Sequence, residues 1–202
     1  MELQENIQLN EPTRKGGLSI QEAFANRRCY RGGIDMKSLT KQELSDLLWA
    51  ANGVNRPDGK RTAPSALNAM DIDVYAITHL GTYKYDPDKH ELVWLTEGDY
   101  RKAAGGGQDF VADVPVVLIL VADYARYDAV PNPTGRDLSQ FVPFMAAMDV
   151  GIVTQNINLF CAGNGLATIS RGMMDQEVLR EVLKLDETQH LLLNNAVGYP
   201  AE

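Results

Sequence analysis

Residues 115–123, PVVLILVAD, form an apolar, largely β-branched run closed by an aspartate. Side chains of a strand alternate between the two sheet faces, so a run with no polar position needs cover on both sides. The chain must therefore build layers, with helices above and below a central strand. Those helices can be read from the sequence. Residues 138–164 distribute Phe141, Met145, Met148, Ile152, Val153, Ile157, Phe160 and Cys161 around most of a helical circumference, with Gly163-Asn164-Gly165 as the stop. A helix apolar nearly all round belongs in the domain centre or in a subunit interface. Thr40 and Glu43 make a capping-box pattern ahead of the stripe Leu44, Leu47, Leu48 and Ala51, which Gly53 ends. Ser19 and Glu22 repeat that box before Ile20, Ala23 and Phe24, and this helix is expected to run into Arg27 and Arg28 and stop before Gly32-Gly33.

DIDVYAITH alternates at period two and predicts a strand, and GTYKYDPDKHELVWL predicts a hairpin turning at Asp86-Pro87-Asp88. Residues 98–112 hold a short helix broken by Gly105-Gly106-Gly107. A further helix runs from about Asp175 to about Lys184, and HLLLNNAVGYP supplies the last strand. Helices and strands succeed one another without βαβ spacing. The expected class is α+β, a mixed and mostly antiparallel sheet flanked by helices, with the 138–164 helix buried at its centre. Residues 1–17 are polar, lack periodicity and read as an arm, leaving 18–202 as one domain.

Composition excludes several classes of function. A net charge of −8 and a pI near 4.9 repel polyanions, so nucleic-acid binding through a basic face is not expected. The longest apolar run, residues 114–122, is too short to span a bilayer, and the opening residues do not form a signal peptide. The expected location is the cytoplasm, with an exported form whose leader has been removed as the alternative. Cys29 and Cys161 form no metal or redox pair, and three scattered histidines give no metal-ligand spacing.

Three segments could carry chemistry. RRCYRGG concentrates Arg27, Arg28 and Arg31 within five residues of an acidic chain. Arg27 and Arg31 would share a face if the helix continued, and their guanidinium forks could converge on one phosphate. They could equally pair with the helix C-terminus and nearby carboxylates. KRTAPSALNAMD is rich in small and amide residues at a strand entrance, where a planar ring could approach the main chain and Asn68 could reach ring heteroatoms. A plain turn at Pro64 fits it too. GLATISRGMMD, with Ser170-Arg171-Gly172, follows the long helix and alone would pass for a connection.

Taken in order, these segments resemble the FMN-dependent nitroreductase family over about residues 18–200. RRCYRGG is similar to the family's R-x-[ST]-x-[RK] motif, with Arg27, Cys29 and Arg31 at the positions that contact the FMN phosphate and ribityl chain. APSALNAMDIDVYAI resembles its P-S-x-x-N loop and first long strand. QNINLFCAGNGLATISRG resembles its central helix and the segment over the flavin ring. The hairpin and the DFVADVPVVLILVAD strand look more like the branch related to azoline-oxidising peptide dehydrogenases.

The resemblance implies a homodimer with FMN at the interface and the long helices packed together. It places the phosphate on Arg27 and Arg31, within a cofactor-binding set that also includes Arg28 and Cys29. Pro64, Ser65, Ala66 and Asn68 would line the ring from the partner chain. Gln108 would touch the ring edge, and Ser170, Arg171 and Gly172 would cover the other side. Either Arg61 or Arg171 would complete the phosphate site. Hydride would pass from NAD(P)H to the flavin and on to a small electron-poor acceptor, a nitroaromatic or a quinone, by a ping-pong mechanism. Because the flavin carries the chemistry, no catalytic side chain and no metal are expected. Cys29 stands where the family usually has Ser or Thr, and the chain ends at VGYPAE without the tail that supplies a cation in many members. Two other readings stay open, a flavin-dependent dehydrogenase of peptide azolines and a flavin-binding protein without turnover. That branch implies a Lys-Tyr pair, which the sequence does not place: Tyr83-Lys84-Tyr85 lies in the hairpin and reads as structural.

Overall fold

A computed structural model describes residues 5–133, 135 and 137–201. The chain runs through β1 (Ile7–Gln8), α1 (Ile20–Asn26), β2 (Ile34–Asp35), α2 (Lys41–Asn52), β3 (Ile72–Thr78), β4 (Gly81–Asp86) and β5 (Glu91–Glu97). It continues through α3 (Arg101–Gly105), β6 (Val116–Asp123), α4 (Val142–Gly163), β7 (Ala167–Arg171), α5 (Gln176–Val182) and β8 (Gln189–Pro200). The sheet order is β1-β5-β4-β3-β6-β8-β2, with β7 also paired to β8. The class is the expected α+β sheet flanked by helices, and every described strand pairing is antiparallel.

The apolar run becomes β6, in the middle of the sheet, and its alternation divides the core. Val116, Leu118, Leu120 and Ala122 face Leu47 and Leu48 of α2 and Val150, Val153 and Ile157 of α4. Val117, Ile119 and Val121 face Ala104 of α3 and Leu179 and Val182 of α5. Strand β3 departs from the half-buried strand that its alternation predicts. Residues 71–77 are all buried, because β3 also has helices on one side and the α3 layer on the other. Asp73 is buried against Lys84 at 2.7 Å and Arg126 at 2.6 Å.

Both capping boxes form, at Ser19 with Glu22 and at Thr40 with Glu43. Glu43 also accepts from the Tyr199 hydroxyl at 2.6 Å, tying the N-terminus of α2 to β8. Thr40→Ala is expected to lower stability by about 1 kcal/mol in urea unfolding. An unchanged midpoint would mean the cap is redundant. Helix α1 stops at Asn26, before the arginines, with Arg27 at φ −59° and ψ 121°, outside the helical region. Helix α4 starts at Val142 rather than at 138, since Pro143 has no N–H and fits only the first turn. It ends as expected: Gly165 takes a left-handed conformation and the Leu166 N–H donates to the Cys161 carbonyl at 2.9 Å.

Residues 114–122 are not the longest stretch that membrane arguments must weigh. By length and composition, α4 is apolar enough to cross a bilayer. It lies instead on the sheet, burying Ala146, Val150, Val153, Ile157 and Cys161, and carries a buried Asp149. Those are the marks of a core helix. Of the 1–17 arm, residues 1–4 lie outside the described residues. The remainder is strapped to the domain. Ile7 and Gln8 pair with Leu92 and Glu91, Leu9 is buried, and the Asn10 carbonyl lies 2.9 Å from His90 Nε2.

Candidate functional site

Because α1 ends early, Arg27 to Arg31 run as non-helical chain to β7, where the Tyr30 N–H donates to the Thr168 carbonyl at 3.1 Å. A cavity of about 750 Å³ opens there, lined by Arg27, Arg28 and Tyr30 and by the C-terminal turn of α4 from Cys161 to Gly165. A second, of about 350 Å³, is lined by Arg31, Gln108, Phe110, Ser170, Arg171 and Gly172. Successive residues of the same two segments line the two openings. Seven of the twelve candidate residues are thus gathered where 27–31 meets β7. Cys29 is exposed and lines neither cavity, with its sulfur 4.0 Å from Arg27 Nη1.

Arg27, Arg28 and Arg31 make no ion pair with any described carboxylate. Nor does the last turn of α1 carry a basic residue. Both ordinary explanations of the cluster therefore lack support. Arg28 is partly engaged, its Nε donating to the Tyr30 hydroxyl at 3.0 Å and its guanidinium lying over that ring.

Arg171 is different. It is buried, and burial pulls its guanidinium below the ordinary arginine range. Its Nε donates to Gln108 Oε1 at 2.8 Å, Nη1 to the Ala104 carbonyl at 3.0 Å and Asn194 Oδ1 at 3.1 Å, and Nη2 to the Gly105 carbonyl at 2.5 Å. All four acceptors are neutral, so a positive charge is fixed in the cavity wall without a carboxylate to cancel it. The Gly-rich segment is shaped for this clasp. Gly106 has φ +53°, and a Cβ there would meet the Met174 N at 2.6 Å. The Arg61 guanidinium lies elsewhere, with Nη1 at 3.4 Å from the carbonyls of both Met70 and Ile72.

The Ser170 hydroxyl turns into the protein, donating to Asn158 Oδ1 at 3.1 Å and accepting from Asn195 Nδ2 at 3.1 Å. Thr154 donates to Asn195 Oδ1 at 2.7 Å. This buried network fixes β7 against α4. What residues 170–172 can offer a planar ligand is main chain, and nothing lies within 4 Å of where a Gly172 Cβ would project. Asn194 and Asn195 were not among the sequence candidates. The signal was present, since two amides in the apolar strand LLLNNAVG demand buried partners.

Pro64, Ser65, Ala66 and Asn68 are not brought to these cavities by a single chain. The Ala66 N–H donates to Asp149 Oδ2 at 2.8 Å, and Asp149 lies nine residues before Asn158 on α4, about 14 Å along its axis. In the hairpin, Lys84 is paired with Asp73, Tyr83 packs edge-on against Trp94, and the Tyr85 hydroxyl lies 2.8 Å from His90 Nδ1. All three side chains of the Tyr-Lys-Tyr run are thus engaged by contacts within the sheet and hairpin.

Comparison with known proteins bears on the family and the fold. Residues 24–199 match the family model described as the nitroreductase family. A provisionally described nitroreductase of Methanocaldococcus jannaschii is 32% identical over 185 residues, covering 87% of this chain and 89% of that protein. An NADPH-dependent oxidoreductase of Staphylococcus haemolyticus is 28% identical over 103 residues, covering 48% and 41%. Among solved structures, a provisionally described nitroreductase from Ralstonia eutropha JMP134 superposes with a TM-score of 0.86. It is 34% identical, covering all of this chain and 92% of its own.

Proposed function

The chain belongs to the nitroreductase family of oxidoreductases, and from that membership we propose that it binds FMN and carries hydride from NAD(P)H to a small electron-poor acceptor. The observation that carries the proposal is the set of three arginines without carboxylate partners among the described residues, beside two cavities, in a chain of net charge −8. The donor set fits the cofactor. Arg27 and Arg31 would hold the phosphate as charge-assisted donors. Gln108 and the main chain around Gly172 would meet the ring, and Arg171 would set the charge beside it. When bound, FMN supplies the hydride chemistry. The protein's part is to bind, to orient and to keep the β7 main chain rigid through Thr154, Asn158 and Asn195.

The functional unit in this proposal is a homodimer. Phe141, Phe144 and Met148 are exposed along one face of α4, a stripe that a second copy would cover. The 64–68 loop, distant from the cavities of its own chain, would complete those of its partner. Phe144→Glu is expected to yield monomers in light scattering and to abolish FMN retention. Dimers that keep FMN would remove α4 from the interface. A cytoplasmic setting, where NAD(P)H is available, accords with two unpaired thiols.

Anaerobic mixing of the FMN-loaded protein with NADH or NADPH tests turnover. Bleaching of the flavin band and its recovery on adding a nitroaromatic or a quinone are expected. A loaded protein that neither nucleotide bleaches would leave the flavin-binding role standing without the enzyme.

A further inference from the structure

Beneath the 64–68 loop lie two carboxyl groups that the proposed redox chemistry does not use. Asp71, at the entrance to β3, is fully buried, and neither of its oxygens accepts a hydrogen bond from a described donor. Asp149 of α4 is also buried, and its Oδ2 accepts from the Tyr127 hydroxyl at 2.9 Å and from the Ala66 N–H at 2.8 Å. Asp71 faces that same carboxyl and the Tyr127 hydroxyl. No described Lys or Arg forms an ion pair with either carboxyl, in contrast to neighbouring Asp73, which has both Lys84 and Arg126.

Two facing buried carboxylates that form no ion pair with a described cation disfavour each other's ionisation. Asp149 already accepts from two donors and the Asp71 oxygens from none, so the shared proton is assigned to Asp71, with Asp149 as its acceptor. The surrounding charged and titratable groups are Asp73 on β3, Asp123 at the end of β6, and Tyr124, Arg126 and Tyr127 in the turn after it. Arg61 joins them from the loop. Arg126 donates to the Met70 carbonyl at 2.5 Å and to Asp73, and Arg61 approaches the Met70 carbonyl. The loop they hold is strained. Leu67, Asn68 and Met70 have φ of 54°, 58° and 50°, a region non-glycine residues adopt only when their surroundings impose it. Its anchors are the Ala66–Asp149 bond, Met70 N–H to Ser65 Oγ at 2.8 Å, and the arginines on the Met70 carbonyl.

We propose that Asp71 and Asp149 share one proton and form a pH-sensitive latch on the 64–70 loop, closed while Asp71 is protonated and loosened when it ionises. In the closed state the Asp71 hydroxyl donates to the Asp149 carboxylate, which in turn holds Ala66. On ionisation that proton passes to solvent and two facing carboxylates repel across the loop anchor. The proton affinity accords with this geometry. Burial first, and then the Asp149 charge, push Asp71 up to about 7. The free carboxyl of an unfolded chain titrates near ~4, so the folded protein holds the extra proton between these values. The pair's stabilising effect is complete below about pH 4 and is lost as pH rises through about 7. That the loop lines a bound flavin rests on the proposed function. The latch itself does not.

Hydrogen exchange of residues 65–70 in the full chain without added flavin, corrected for intrinsic rates, tests the latch between about pH 5.5 and about pH 8.5. The unmodified protein is expected to lose protection there by about fivefold or more as pH rises. In Asp71→Asn, whose amide can donate to Asp149 at every pH, protection should be flat. Infrared spectroscopy of the unmodified protein keeps the test decisive if that variant does not fold. A protonated-carboxyl band present at the lower pH and gone at the higher one is expected. Absence of that band at the lower pH, or loop protection that does not change with pH, would overturn the latch. Either result would leave FMN binding, measured separately, untouched.

Discussion

Arg171→Ala is expected to lower the unfolding free energy by about 2–5 kcal/mol and to open the wall of the smaller cavity. Hydrogen bonds to a charged group contribute about 1.5–3 kcal/mol each, and bonds sharing one guanidinium do not add in full. Against them stands the desolvation of a guanidinium with no carboxylate nearby, several kcal/mol in a buried site. The balance favours the intact residue, because its removal also leaves the carbonyls of Ala104 and Gly105 and the side chains of Gln108 and Asn194 short of donors. Arg171→Lys keeps the charge but cannot reproduce the fork, so most of the loss should remain. Urea unfolding of both variants measures this. A loss under about 1 kcal/mol in the alanine variant would show that the guanidinium does not hold the Gly-rich segment in place.

The second large effect concerns cofactor affinity. Arg27 lines the larger cavity and has no carboxylate partner among the described residues. A charge-assisted bond to phosphate is worth about 1.5–3 kcal/mol, so Arg27→Ala should raise the Kd for FMN by roughly 10- to 150-fold. Arg31→Ala should act similarly, and the double variant should bind more weakly than either. Arg28→Ala should cost less, since Arg28 is held by the Tyr30 hydroxyl and ring. Equilibrium titration with FMN gives the order. Full retention of FMN in the double variant would place the phosphate elsewhere.

Locally coded features were legible in the sequence. Both capping boxes, the Gly163-Asn164-Gly165 stop, the hairpin at Asp86-Pro87-Asp88 and the buried β6 depend on neighbours within a few residues, and all four stand where the residues predict. The end of α1 was not legible, because Arg27 to Arg31 contain no breaker before Gly32. Their non-helical path is set by the bond to Thr168, far away in the chain. The arm misleads for a similar reason. Its polar residues show no periodicity, yet Asn10 meets Gln42 and Ser45 and pairs across to His90.

The candidate site divides along the same line. The cluster of Arg27, Arg28 and Arg31 is visible because it breaks the charge of the chain. The clasp of Arg171 on Ala104, Gly105 and Asn194, and the meeting of Asp71 with Asp149, join residues 23 to 78 positions apart. No local pattern encodes such pairs. Asn194 and Asn195 are the exception, since buried amides in an apolar strand signal a network even before its members are known.

The proposed FMN-dependent oxidoreductase is tested most directly by titrating the purified protein with FMN and recording its visible absorbance after desalting. One FMN retained per protomer is expected, with retention lost in the Arg27→Ala/Arg31→Ala double variant. A folded protein that stays colourless with saturating FMN would contradict it.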